Sequence, residues 1–408
     1  MLSVDAALEQ ILSAVPMMEP RRRPLVDALG LVLAEDVVAA EDLPSFANSA
    51  MDGYAVAAAD TVGASAETPR LLKVLEDLPA GRWPGRVLHR GDAARIMTGA
   101  PLPTGADAIV RVEWTETQAD GSVLVKRAVS PGGDVRPAGE DVRRGETVLR
   151  RGALLRPAEI GLLAALGRAE ALVIPRAKVA ILTTGNELVE PGQPLPPGHI
   201  RNSNRYSLAA QVLWWGGEVG PCLHVPDEPG PVEEALRKCA QADVILTSGG
   251  VSVGDYDLVK EGLSRVGQIR FWQVAVRPGK PLVFGEIEDK PLFGLPGNPV
   301  SSLVAFEVFV RPALDQMCGR PPRRPIKGQL AQPVRHKGDR RTYLRARAVA
   351  DDGGLLVYPV SAQGSAQLSS LVQANALAII PEGGEGLAAG ERVELILLWE
   401  AAREFAGL

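Results

Sequence analysis

The run Asp243-Val244-Ile245-Leu246-Thr247 leads directly into Ser248-Gly249-Gly250-Val251-Ser252-Val253-Gly254, and the reading of this stretch decides the fold. A short apolar, β-branched run closed by a glycine-rich turn is how a buried strand of an α/β sheet ends at its ligand edge. Two other passages repeat the pattern. Lys178 to Leu182 precedes Thr184-Gly185-Asn186-Glu187, and Pro291 to Leu295 runs into Gly294-Leu295-Pro296-Gly297-Asn298-Pro299. Glycine lets backbone N–H groups approach a ligand closely, and a strand-to-helix turn aims them at anions. Three such turns within one domain's length predict one phosphate-bearing ligand at the carboxyl edge of the sheet.

Outward from these turns, strands and helices alternate across residues 176–320. Further strands are expected at Glu218 to Val225 and Pro281 to Phe284, with helices from Ser203, from Pro231 and over Val300 to Cys318. That alternation predicts an α/β domain with a parallel or mixed sheet. The Pro-rich stretch Arg320 to Pro325 reads as a linker. Beyond it, residues 326–408 hold β runs at Thr342 to Val349, Leu355 to Pro359, Ala376 to Ile380 and Arg392 to Leu398, which predict a small barrel or sandwich.

Towards the N-terminus, Val4, Ala7, Leu8, Ile11, Leu12 and Val15 recur at helical spacing behind a Ser3 cap. Residues 49–137 switch to short alternating runs such as Leu71 to Leu75, Ala108 to Glu113 and Val123 to Arg127, a mostly β insertion. A second helix is expected from Pro157 to Leu166, stopped by Gly167. Residues 1–48 with 138–175 then form a helical and extended connecting, dimerisation region. The fold class is multidomain, α/β plus β.

A chain of 408 residues is too long for one ordinary core, and 43 glycines with 33 prolines indicate many turns and short strands. The net charge of −5, with basic residues in short clusters, argues against nucleic acid as the main partner. No apolar run approaches the roughly 20 residues of a membrane span, and the N-terminus lacks a signal peptide's order, so the expected compartment is the cytoplasm. Cys222, Cys239 and Cys318 form no CxxC, and the four histidines form no HExxH. A participating metal is therefore a hard cation on oxygen ligands, such as Mg2+.

A dinucleotide fold wants GxGxxG after a first strand, and the Ser248 to Gly254 turn comes late with the wrong spacing. A P-loop is excluded because no lysine precedes Ser301. Taken in order, Leu182-Thr183-Thr184-Gly185-Asn186-Glu187-Leu188, Thr247 to Gly254, Arg277-Pro278-Gly279-Lys280-Pro281 and Gly294 to Pro299 resemble the molybdopterin molybdenumtransferase family, MoeA and the related C-terminal domain of gephyrin. The resemblance extends to Ser49-Ala50-Met51-Asp52-Gly53-Tyr54-Ala55-Val56, Ile96-Met97-Thr98-Gly99-Ala100-Pro101 and Ala138-Gly139-Glu140-Asp141-Val142. It implies that adenylylated molybdopterin and molybdate are the substrates, that AMP is released, and that molybdenum is left on the dithiolene sulfurs with Mg2+ assisting. It also implies a homodimer, with the adenylylating enzyme and molybdoenzyme apoproteins as further partners.

By that resemblance Glu187, Asp227 and Asp257 are the metal and catalytic carboxylates, and Lys280, Asp52, Thr98 and Asp141 join them as catalytic residues. Thr184, Gly185, Ser248, Gly249, Gly250, Val251, Ser252, Gly254, Arg277, Pro296, Gly297, Asn298 and Pro299 form the substrate cradle. Arg341, among Arg340, Tyr343 and Arg345, is the choice for the oxyanion, with Ser365 and Ser369 as neighbours left unassigned. Structural alternatives stand beside each role. Glu187 also suits a helix N-terminus, Asp227 and Asp257 suit a cap or Asx turn, and Asp141 suits a pair with Arg143 or Arg144. Lys280 also suits a solvated surface. Asn186 stands where the family has aspartate more often, Arg277 where lysine is frequent, and Thr342 where an acid is common.

Two other functions compete. The adenylyltransferase that acts on molybdopterin and ATP shares the α/β domain but continues Ser-Gly-Gly with Thr-Gly, where this chain has Val251-Ser252-Val253-Gly254. A gephyrin-like non-enzymatic scaffold is disfavoured by the full set of Glu187, Asp227, Asp257 and Lys280.

Overall fold

The computed structural model describes residues 1–250, 258–336, 338–351 and 354–398. The chain opens with helix α1, Val4–Ala14, whose Ser3 cap accepts the Ala6 N–H at 3.1 Å while Val4, Ala7 and Ile11 are buried. Two compact units follow from the chain path. One comprises Met1–Arg21, Gly30–Val32 and Val173–Leu408, the other Arg22–Leu29 and Leu33–Leu172. The expected connecting region is thus divided, with α1 in the larger unit.

The smaller unit is built on six strands: β1 Gly53–Val56, β2 Arg70–Leu78, β3 Asp92–Ile96, β4 Ala108–Arg111, β5 Thr115–Thr117 and β6 Val123–Val125. Their order is β4-β1-β3-β2-β6-β5, with only β2 and β3 parallel. Side chains alternate across a strand, so Tyr54 and Val56 enter one apolar cluster while Ala55 enters another with Leu78, Ile96 and Ile109. A sheet with two filled faces curls into a half-barrel. Helix α2, Pro157–Ala165, starts on proline; the Glu159 carboxylate reaches back to the Arg156 N–H at 2.9 Å, and Gly167 follows at φ +75°.

The larger unit contains the α/β domain. Its strands are β7 Lys178–Thr184, β8 Glu218–Val225, β9 Val244–Ser248, β10 Gln268–Gln273, the short β11 Val276–Arg277, β12 Pro281–Ile287 and β13 Lys290–Leu295. The sheet order is β8-β7-β9-β13-β12-β10, parallel through the first four and antiparallel for β12 and β10. Helices α3 Ser203–Trp215, α4 Pro229–Cys239, α5 Leu258–Val266, α6 Pro299–Ala305 and α7 Arg311–Met317 cover it. α3, α6 and α7 share one core with α1, and α4 lies on the opposite face with Leu263 of α5. Phe271, Phe284 and Phe293 stack through the first core at centroid spacings of 5.6 and 5.1 Å.

Four details depart from the sequence reading. The helix expected from Pro231 begins at Pro229. The helix expected over Val300 to Cys318 contains a π turn at Phe306–Val310. That turn buries Glu307, which meets Gln211, Arg311 and Arg323. The Arg320 to Pro325 stretch is no free linker. Arg320 donates to the Trp215 carbonyl at 2.7 Å over the indole ring, and Arg323 bonds Glu307 and the Leu397 carbonyl. Finally, α5 and β10 had no sequence expectation, nor did the next strand, β14 Ile326–Leu330.

The C-terminal part is a barrel rather than a sandwich. β14, β15 Arg341–Asp351, β16 Gly354–Pro359, β17 Ala376–Ile380 and β18 Arg392–Leu397 pair in the cycle β15-β16-β14-β18-β17-β15. β11 adds to this barrel by parallel pairing with β15, joining it to the α/β domain.

Candidate active site

The strand order reverses between β7 and β9: the chain leaves β7 for β8 on one side and returns through α4 to β9 on the other. Ligand crevices of doubly wound sheets open at such a switch point, beyond the carboxyl ends of the strands. Here those ends are Thr184 and Ser248, and a cleft of about 1020 Å³ opens on them.

Its floor is made by the glycine turns. Gly249 and Gly250 have φ of +98° and +63°, and a Cβ on Gly249 would sit 2.6 Å from the Thr184 carbonyl oxygen. Gly185, at φ +149°, leaves no room for a Cβ because the Glu187 carboxylate folds back to 2.7 Å from that position. Asn204, on α3, locks two turns together. Its amide donates to Ser248 Oγ at 2.8 Å and to the Gly297 carbonyl at 2.7 Å, and Ser248 Oγ donates to the Pro296 carbonyl at 3.3 Å. Asn186 Oδ1 accepts the Asp227 N–H at 3.1 Å, which ties the β7 and β8 ends together.

Glu187 and Asp227 both face this cleft. The buried Thr184 Oγ1 beside them has no hydrogen-bond partner. Two carboxylates and a hydroxyl form an oxygen donor set that fits Mg2+, which keeps several waters and takes few protein ligands. Among the described residues no cluster of three His, Cys, Asp or Glu side chains forms a cage.

The opposite wall comes from the barrel and from β11 with the turn after it. Arg277, Arg335, Arg340 and Arg345 line it with His336, Thr342 and Ser365. None of these four guanidiniums pairs with a carboxylate among the described residues. Arg345 is only 1% exposed; it donates to Ser370 Oγ and to the carbonyls of Ala362 and Gly364 at 3.1–3.2 Å. Burial pushes its guanidinium down to about 10. These bonds hold the 362–370 loop, whose Ser365 accepts from the Asn298 amide at 3.1 Å. His336 is buried with Nε2 unpartnered and Nδ1 3.4 Å from Thr342 Oγ1.

Of the expected site residues, the structure gathers Thr184, Glu187, Asp227, Ser248, Gly249, Gly250, Arg277, Pro296, Gly297, Asn298 and Pro299 around one cleft. Gly185 shapes the first turn without lining it. Lys280 is half-buried on the Arg277 turn, and its neighbours Gly279 and Pro281 line the cleft while it does not. Arg341 does not reach the cleft. Asp5 and Glu382 occupy its guanidinium at 2.6–3.2 Å, while Arg340 and Arg345 line the cleft. Val251, Ser252, Gly254 and Asp257 lie outside the described residues.

Asp52, Thr98 and Asp141 belong to the smaller unit. Asp52 Oδ1 accepts both the N–H and the hydroxyl of Thr98, at 2.7 and 2.8 Å, and these bonds hold its carboxyl below the usual range. Asp141 is exposed, with its N–H on the Leu43 carbonyl. Asn204 and His336 had no sequence expectation. Asn204 sits on an ordinary helix start, and His336 is an isolated histidine, so neither carried a local signal.

Comparison with known proteins agrees with this geometry. Three family models match: the MoeA N-terminal region, domains I and II, over residues 2–167; a probable molybdopterin binding domain over 180–316; and the MoeA C-terminal region, domain IV, over 327–398. A molybdopterin molybdenumtransferase 2 of Mycobacterium tuberculosis is 44% identical over 382 residues, covering 91% of this chain and 93% of the relative. The molybdopterin molybdenumtransferase of Haemophilus influenzae is 35% identical, covering 97% of this chain and 98% of its own length. A crystal structure of a molybdopterin biosynthesis MoeA protein from Pyrococcus horikoshii superposes with a TM-score of 0.83 at 34% identity, over 97% of this chain and 99% of that one. With the domain order, the switch-point cleft and these full-length matches in agreement, the chain belongs to the MoeA family of molybdopterin molybdenumtransferases, enzymes of molybdenum cofactor biosynthesis.

Proposed function

We propose that this cleft binds adenylylated molybdopterin with its pyrophosphate on the glycine floor and molybdate against the arginine wall. AMP is released as molybdenum passes to the pterin dithiolene. The observation that carries the reading is the asymmetry of the cleft. Backbone donors and two carboxylates share the cleft with four guanidiniums that pair with no carboxylate among the described residues. A phosphoanhydride suits N–H donors at glycine turns, and a tetrahedral oxyanion suits charge-assisted guanidinium bonds.

Glu187, Asp227 and Thr184 would hold Mg2+, which when bound offsets charge on the phosphate oxygens. Asn204 keeps the Ser248 and Gly297 turns at fixed separation, so the floor meets the phosphates already organised. Arg345, dehydrated and fixed by three acceptors, presents a rigid cation whose attraction for an oxyanion is strengthened by low local polarity. No helix among the described residues is long and apolar enough to cross a membrane.

The test is turnover with purified protein, adenylylated molybdopterin, Mg2+ and molybdate. AMP release that requires molybdate, in step with metal on the pterin, is expected. Pyrophosphate release from ATP and molybdopterin without molybdate would instead identify the adenylylation step.

A further inference from the structure

The Arg341 guanidinium, excluded from the cleft, closes a seam directly behind it. Residues Val274 to Arg277 are held on both sides. On one, Leu2 bridges Val274 in parallel, its N–H on the Gln273 carbonyl at 3.2 Å and its carbonyl accepting the Ala275 N–H at 2.8 Å. On the other, Val276 and Arg277 pair with Arg341 and Thr342, and the Arg341 N–H donates to the Ala275 carbonyl at 3.1 Å.

Across this seam Asp5 takes a two-point bond from Arg341, at 2.6 and 2.8 Å, and Glu382 takes two more at 3.1 and 3.2 Å. One cation thus ties the first turn of α1 to β15 and to the turn after β17. Planar two-point pairing fixes direction as well as distance. Arg277, Arg340 and Thr342, carried by the same two short segments, line the cleft.

We propose that Asp5 is a positioning residue for the oxyanion: through Arg341 it sets the spacing of Arg277 from Arg340 and Arg345. This rests on reading the arginine wall as the molybdate site. Asp5 is not among the buried residues of α1, which are Val4, Ala7 and Ile11, so its removal takes no packing contact from the helix core. Asp5 is 69% exposed and Arg341 21%, so the effect is a loosening of the wall rather than its loss.

Steady-state kinetics of Asp5→Ala should show KM for molybdate raised about 3- to 10-fold, with kcat and KM for adenylylated molybdopterin within about twofold of wild type. Asp5→Glu should restore most of the difference. Glu382→Gln, which leaves α1 untouched, should raise KM for molybdate by a smaller factor. An unchanged molybdate KM in Asp5→Ala, or both KM values rising together with a fall in melting temperature, overturns the brace. If the wild type released no AMP, the functional reading would fail. The brace would then be judged by calorimetry with molybdate alone, where the same ratio of affinities is expected.

Discussion

The two sides of the cleft are built by different physics. The floor owes its shape to backbone conformation: left-handed glycines, tight turns and the Asn204 clamp bring the three turns to one cleft. The wall owes its character to side chains: four arginines brought together by barrel closure and by the pairing of β11 with β15. A floor of this kind is local in sequence, whereas the wall exists only after distant strands have paired. The two sides should therefore fail in different ways.

The largest expected effect is on the floor. Gly249→Ala places a Cβ 2.6 Å from a carbonyl oxygen at φ +98°, so the turn must move. Turnover should fall by at least about 100-fold while the circular dichroism of the fold persists. A variant with near wild-type AMP release would break the account of the floor.

Arg345→Ala attacks the wall and its support at once. Its three acceptors lose their donor inside a buried site, a loss of about 2–4 kcal/mol of stability by denaturant unfolding, together with loss of molybdate-dependent turnover. If stability fell without an effect on molybdate, Arg345 would be only a loop anchor. Glu187→Ala should separate chemistry from folding: an exposed carboxylate whose removal lowers AMP release about 100-fold with no change in melting temperature.

Asn204→Ala is milder. It removes two hydrogen bonds between turns, about 1–2 kcal/mol, and should raise KM for the pterin nucleotide several-fold with little effect on molybdate. The smallest effect lies in the other unit. Glu159, held by Arg156, is drawn from its ordinary 4.5 down to about 2. Its contribution is complete above pH 4.5 and is lost as pH falls towards 2, so Glu159→Gln should flatten acid unfolding in that window without touching activity.

The same contrast explains what could be read before folding. The glycine turns were legible because each directly follows its strand in sequence, and Glu187 and Asp227, assigned by the resemblance, stand just past the ends of β7 and β8, the latter running over the expected Glu218–Val225. Arg341 was chosen on the resemblance to the family's arginine pattern around Tyr343, and a pattern of residues along one strand cannot say which arginine meets a carboxylate. Asp5 and Glu382 decide that, and they lie 336 and 41 residues away. The Arg320 to Pro325 stretch misled for a related reason. Its composition is that of a linker, yet Arg320 and Arg323 are anchored on Trp215 and Glu307. β10 and α5 had no expectation, although Asp257, read as a possible cap, stands before α5 and Gly267 follows it.

The central claim, that floor and wall hold different ligands, is tested most directly by calorimetric titration of AMP and of molybdate into Gly249→Ala and Arg340→Ala. Gly249→Ala is expected to lose AMP but keep molybdate, and Arg340→Ala to weaken molybdate but keep AMP. Loss of both ligands together in either variant, with the fold intact, would contradict it.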